Sequence, residues 1–82
     1  MQFMVHATFH QQDRQNIMAL VPQERERIKV LREQGIVEAL YIASDGSGVW
    51  IVMQGESQDQ VQKDLASLPL HPYMDVAITP LS

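Results

Sequence analysis

Residues 36–54, IVEALYIASDGSGVWIVMQ, read as two strands joined by a turn. Ile36 to Ala43 and Val49 to Gln54 are rich in β-branched and aromatic side chains, which suit a pleated, half-buried surface. The intervening Ser44-Asp45-Gly46-Ser47-Gly48 carries hairpin chemistry, so the two strands should pair antiparallel. Because this glycine-containing run joins strand to strand and opens no helix, it is a turn and not a phosphate cradle.

Working outward toward the N-terminus, Gln2 to Phe9 alternates as a strand, with Phe3, Val5, Ala7 and Phe9 on one face and Met4, His6 and Thr8 on the other. Asp13 can cap a helix whose apolar stripe runs through Ile17, Leu20, Val21, Ile28 and Leu31 until Gly35 stops it. Pro22 interrupts that stripe and predicts a kink or a new helix start, because it removes a donor and crowds the carbonyl one turn earlier. Toward the C-terminus, Ser57 followed by Gln60 is a capping box for a second helix carrying Val61, Leu65 and Leu68, ended by Pro69. Met74 to Thr79 alternates as a last strand.

The order is βαββαβ, the ferredoxin-like α+β arrangement: a four-stranded antiparallel sheet with two helices on one face. No linker or repeat divides the chain, and residues 1–82 are expected to form one domain. Two helices cover only one face of such a sheet, yet both faces are apolar. Met4, Trp50, Val52 and one alternate set from Ile36, Leu40 and Ile42 or Val37, Ala39 and Tyr41 cannot all lie under the helices. An exposed patch of that size calls for a cover, and a second copy supplies it, so a homodimer or higher homo-oligomer is expected.

Composition excludes several classes. The 82 residues are 45% apolar and 20% charged, an ordinary globular balance. The formal charge of −4, with only six Lys and Arg, argues against a nucleic-acid partner. Four of the six, Arg25, Arg27, Lys29 and Arg32, interleave with Glu24, Glu26 and Glu33 and read as a solvated, salt-bridged helix face. There is no cysteine to make a disulfide, a thiolate metal site or a nucleophile. No segment has the length of a membrane span, no signal peptide is evident, and a cytoplasmic location is the expectation.

Glu24 is the most informative polar residue. It lies in phase with the apolar stripe, four after Leu20 and four before Ile28, so its carboxylate should lean between helix and sheet. Desolvation there would raise its pKa and suit it to giving and taking protons. The alternative is that Glu24 complements the dipole of a helix starting at Pro22. His6 and His10 are no chelate, since four residues of strand span about 13 Å. No metal site is expected. His6 faces apolar neighbours and is the second candidate catalytic residue, while Tyr41, Trp50 and Tyr73 are candidate substrate-contacting aromatics, with a core or interface role as the alternative.

The stretch Leu68-Pro69-Leu70-His71-Pro72-Tyr73-Met74-Asp75-Val76 resembles a signature of the muconolactone isomerase family, in which a helix ends in Leu-Pro-Leu and a Pro-Tyr-Met-Asp segment leads into the last strand. Extended without gaps to Glu24, the resemblance keeps the Gly35 helix stop and the aromatic at Tyr41, and it covers nearly the whole chain. It implies a dimeric α+β barrel. It also implies a cofactor-free shift of a ring double bond in an unsaturated lactone, with the family's helix glutamate at Glu24. Where the isomerases carry an arginine in the second strand and histidine and asparagine at the hairpin, this chain has Ile42, Gly46 and Val49, and His6 replaces a first-strand lysine. With those partners for a carboxylate gone, a less charged small molecule than muconolactone is expected. The chain ends at Ser82, without the tail by which the family closes its sites. A non-catalytic binding or structural role is the competing expectation.

Overall fold

The computed structural model describes residues 1–81; Ser82 lies outside them. Strand β1 spans Gln2–Phe9, helix α1 Arg14–Glu33, strand β2 Val37–Ile42, strand β3 Gly48–Gln54, helix α2 Gln58–Ala66 and strand β4 Met74–Leu81. Short 3₁₀ turns at Gln11–Asp13 and His71–Tyr73 lead into α1 and β4. The four strands form one antiparallel sheet in the order β2-β3-β1-β4. This is the ferredoxin-like arrangement, in which each helix returns the chain across the same side of the sheet.

Strand alternation builds the core. Phe3, Val5 and Ala7 of β1 and Ile51 and Met53 of β3 point to the helices and are buried together with Leu31 of α1 and Val61 and Leu65 of α2. Leu68 and Leu70, just past α2, join the same cluster, so the apolar set outlasts the helix that begins it. The Ser57 hydroxyl caps α2 by accepting the Gln60 N–H at 3.2 Å. At the other helix, Gly35 adopts φ +77°, and the Gly35 and Ile36 N–H groups donate to the carbonyls of Arg32 and Leu31. That double closure ends α1 in the left-handed cap that favours glycine.

Three local expectations change. α1 runs unbroken through Pro22, so no new helix starts there; the proline is exposed, where water can satisfy the carbonyl it leaves without a donor. Asp13 stands at the N-cap of α1 but makes no side-chain capping bond. Its carboxylate lies instead 3.8 Å from His10 Nδ1, and the 3₁₀ turn before α1 is closed by the Asp13 N–H on the His10 carbonyl.

The third change concerns which face of β2 is inward. The register shifts between Val37 and Ala39, a bulge at Glu38. Val37 pairs with Met53 on the helix side, whereas Ala39 opposes Val52 and Tyr41 opposes Trp50 on the far side. Val37, Leu40 and Ile42 thus share the inner face, a combination that simple alternation does not offer. The Glu38 carboxylate takes side-chain bonds from Gln54 and Gln2. On the far side of the sheet Met4, Val52 and Ala39 are partly covered, while Tyr41 and Trp50 remain 63% and 39% exposed.

Gly48 has a role beyond the turn. A Cβ at that position would lie 2.5 Å from the Ala7 carbonyl oxygen, a backbone atom of the neighbouring strand. Gly48→Ala should therefore force β1 and β3 apart and cost about 1–3 kcal/mol in chemical denaturation, the usual range for overpacking. An unchanged unfolding midpoint would show that the two strands can separate freely at this end.

Candidate active site

Between α1 and the sheet lies a cleft of about 630 Å³, within the range of small-molecule sites. Its floor is apolar: Leu40, Ile42, Val49 and Ile51 from β2 and β3, with Leu70 and Met74 at one end. Ile17, Val21 and Ile28 form the opposing wall because α1 turns its 3.6-residue stripe toward the sheet. Glu24 belongs to that stripe and lines the cleft.

The Glu24 carboxylate is half-buried and accepts a hydrogen bond from the Leu70 N–H at 3.1 Å. The partner is set by the Leu68-Pro69-Leu70 sequence. Pro69 and Leu70 lie between α2 and the 3₁₀ turn, and the Leu70 N–H donates to no backbone carbonyl. Burying such a donor unpaired is costly, so carboxylate and amide satisfy one another. No other protein donor reaches Glu24 among the described residues. Burial pushes its pKa above the usual carboxylate value, and the single Leu70 bond only partly opposes that rise.

The other expected site residues lie elsewhere. Period-two alternation sends His6 to the face opposite the helices, where its ring stacks on Trp50 with centroids 4.5 Å apart and planes 6° from parallel. Tyr41 continues this row, opposite Trp50 across β2 and β3. His6, Trp50 and Tyr41 thus lie on the face of the sheet opposite the cleft, and one chain does not bring them together with Glu24. Tyr73 sits half-buried in the turn before β4, where its carbonyl accepts the His10 N–H at 2.8 Å. Among the described residues no group of three or more His, Asp or Glu side chains could hold a metal ion. No helix among them is long and apolar enough to cross a membrane.

Two features of the cleft bear on its ligand. Ile42, Gly46 and Val49, the positions where the chain departs from the isomerase pattern, all line it, so the departures fall on the site itself. Arg25, Lys29 and Arg32 border its mouth, and among the described residues none of them forms a salt bridge. The sequence reading gave these cations to a salt-bridged solvent face. The signal it passed over was their own i, i+4, i+7 spacing, which gathers them on one flank of the apolar stripe.

A helix-covered antiparallel sheet with a half-buried carboxylate in an apolar cleft defines a small α+β protein of the ferredoxin-like class. The muconolactone delta-isomerase family model matches residues 1–82, and the chain belongs to that family. Among solved structures it is similar to a muconolactone isomerase, with 26% identity and a TM-score of 0.82, the match covering 99% of this chain and 88% of that one. It is also similar to a 5-chloro-2-hydroxyhydroquinone dehydrochlorinase from Burkholderia phenoliruptrix in complex with 2,5-dihydroxybenzoquinone. That match has a TM-score of 0.85 over 100% of this chain and 94% of the other, and at 13% identity it concerns the fold alone. No curated protein matches the sequence significantly.

The raised pKa of Glu24 sets a sign for stability. A carboxyl that holds its proton more tightly when folded contributes stability below its unfolded pKa, and that contribution is lost as pH rises through the folded value. Glutamine keeps an oxygen for the Leu70 N–H and carries no charge. Glu24→Gln should therefore raise the melting temperature at about pH 8, with a smaller gain at about pH 5. Thermal melts of both proteins at the two pH values check this, and a variant that never gains at the higher pH would return Glu24 to a surface role.

Proposed function

We propose that this protein is an acid/base isomerase that moves a carbon–carbon double bond in a small lactone-like or enolisable molecule, with Glu24 as the proton carrier. As carboxylate, Glu24 removes a proton from carbon next to a carbonyl, and the C–H electron pair passes into an enolate. The neutral carboxyl then returns the proton to the far carbon of the conjugated system, so that the double bond shifts and nothing is gained or lost. One observation carries this reading: the half-buried Glu24 lies in an apolar cleft, held by a single backbone N–H. Burial that raises its pKa brings the carboxyl closer to the balance between accepting and releasing a proton. Membership of the isomerase family supports the reaction type, and the name of the muconolactone isomerase neighbour points to a small cyclic molecule.

A second reading, a binding protein that holds an apolar ligand without converting it, is favoured by one observation. Apart from Glu24, the described side chains on the inner walls of the cleft are apolar, and none stands beside the carboxylate to polarise a carbonyl. Glu24→Gln separates the two. For the isomerase, proton–deuterium exchange into a bound enolisable lactone should fall about 10²- to 10⁴-fold while binding persists. For the binding protein there is no exchange to lose. Muconolactone itself should be turned over at well under about 10 per second, a typical enzyme rate, because Ile42, Gly46 and Val49 offer no cation to a carboxylate lodged against the sheet.

The assembly proposed is a homodimer joined through the far face of the sheet. Its support is the row of His6, Trp50 and Tyr41, flanked by Met4 and Val52, which one chain leaves partly in water. Sedimentation at micromolar concentration should find a dimer for the wild type and a monomer for Trp50→Glu, since a carboxylate buried in that face would be unpaired. A well-folded wild-type monomer would remove the proposal.

A further inference from the structure

Among the described residues, helix α1 reaches other elements through two side-chain hydrogen bonds, and both land on the short segment from Ser67 to Leu70. The Glu24 carboxylate accepts from the Leu70 N–H at 3.1 Å, and the Arg27 Nε–H donates to the Ser67 hydroxyl oxygen at 3.0 Å. Ser67 ends α2, and its hydroxyl proton is committed to the Asp64 carbonyl at 2.6 Å, which leaves an oxygen lone pair for the guanidinium. We propose that Arg27 and Ser67 are positioning residues for Glu24: their hydrogen bond fastens the end of α2 to α1 and holds the Leu70 N–H on the carboxylate.

The proposal rests on the reading of Glu24 as the proton carrier and says what keeps that group in its setting. One bond between α1 and the 67–70 segment would leave the segment free to pivot about it. Residues 24 and 27 are about 4.5 Å apart along the helix axis, and a second bond at that spacing fixes direction as well as distance. Leu68 and Leu70 are buried, which anchors their side chains. The tilt of the Pro69–Leu70 peptide, which carries the N–H, is set by what tethers the segment at its two ends. At one end the Leu68 and Leu70 carbonyls accept from the N–H groups of His71 and Tyr73. At the other end stands Ser67, and its tie to α1 is Arg27. Position is the means, not charge. Arg27 forms no salt bridge with Glu24 among the described residues. The charged side chains that share the cleft with Glu24 are Arg25, Lys29 and Arg32, also on α1, and the sheet turns only apolar groups to it. Because the Leu70 bond opposes the effect of burial on Glu24, loosening it raises the carboxyl's pKa further.

The test follows the Glu24 side-chain carboxyl by carbon NMR through a pH titration, and the Leu70 amide by hydrogen exchange, in the intact protein. Ser67→Ala removes the acceptor at an exposed position and leaves every charge in place. It should move the Glu24 midpoint upward and speed Leu70 exchange about tenfold relative to the amides of β1, which report global opening. Arg27→Met should move the midpoint at least as far, and adding Ser67→Ala to it should change nothing more. Ser67→Thr, which keeps the hydroxyl, should behave as the wild type. An unmoved midpoint in Ser67→Ala would overturn the proposal: a shift in Arg27→Met alone would mean that Arg27 acts through its charge, and faster Leu70 exchange alone would mean that Ser67 only closes α2. Additive effects in the double variant would overturn it as well. Neither readout involves a substrate. A pair that passes in a protein unable to exchange protons with an enolisable lactone keeps its positioning role and removes the isomerase, and exchange without these effects does the reverse.

Discussion

Side chains alternate along a strand, and two helices cover only one side of four strands. From that constraint the division of the molecule follows. Phe3, Val5 and Ala7 go under the helices and close a core with Ile51, Met53, Leu31, Val61 and Leu65, while Met4 and His6 go to the far side. The cleft opens where helix and sheet are bridged by Ile17, Val21 and Ile28 at the edge of the core. The same alternation that gives the cleft its floor of Leu40, Ile42, Val49 and Ile51 on one face makes His6, Trp50 and Tyr41 an aromatic row on the other.

The fold was legible because its signals are local and redundant. The 36–54 hairpin, the Ser57 cap, the Gly35 stop and the period of each element agree with one topology, and such agreement across levels is what specifies a structure. What escaped the sequence depends on contacts between distant segments. The bulge at Glu38 is visible only once β2 is set against β3 and the carboxylate meets Gln2 and Gln54. The close approach at Gly48 depends on a carbonyl of β1, forty-one positions earlier in the chain. Pro22 looked like a boundary because local rules weigh the lost donor, but α1 packs on both sides of it through Leu20 and Ile28, and tertiary contacts hold the helix together.

Of the cleft, the position of one polar residue was legible. Glu24 could be found because an acidic residue in phase with a buried stripe is a conflict between levels, and conflicts of that kind concentrate at functional positions. His6 could not be placed, since alternation assigns a strand residue to one of two faces without saying which face a distant helix residue will share. The three cations of α1 at the cleft were read in part: they are exposed as expected, but without the expected ion pairs. Interleaving Arg25, Lys29 and Arg32 with Glu26 and Glu33 suggests ion pairs in a linear reading, but none of these forms among the described residues, and the three cations gather at the cleft.

The Leu70 amide links motif to chemistry. The Leu-Pro-Leu segment terminates α2 and places Leu68 and Leu70 in the core. It also presents one backbone N–H to Glu24, forty-six residues away in sequence. Two or three such donors would hold a carboxylate firmly ionised, and none would leave it protonated in an apolar wall. One donor leaves burial dominant but contested, which is the direction of the shift in Glu24. A proton carrier must release what it takes, so neither charge state can be held much more strongly than the other. The buried leucines on either side of Pro69 fix that single donor in place, and in this way core packing helps to set the acidity of the group at the cleft.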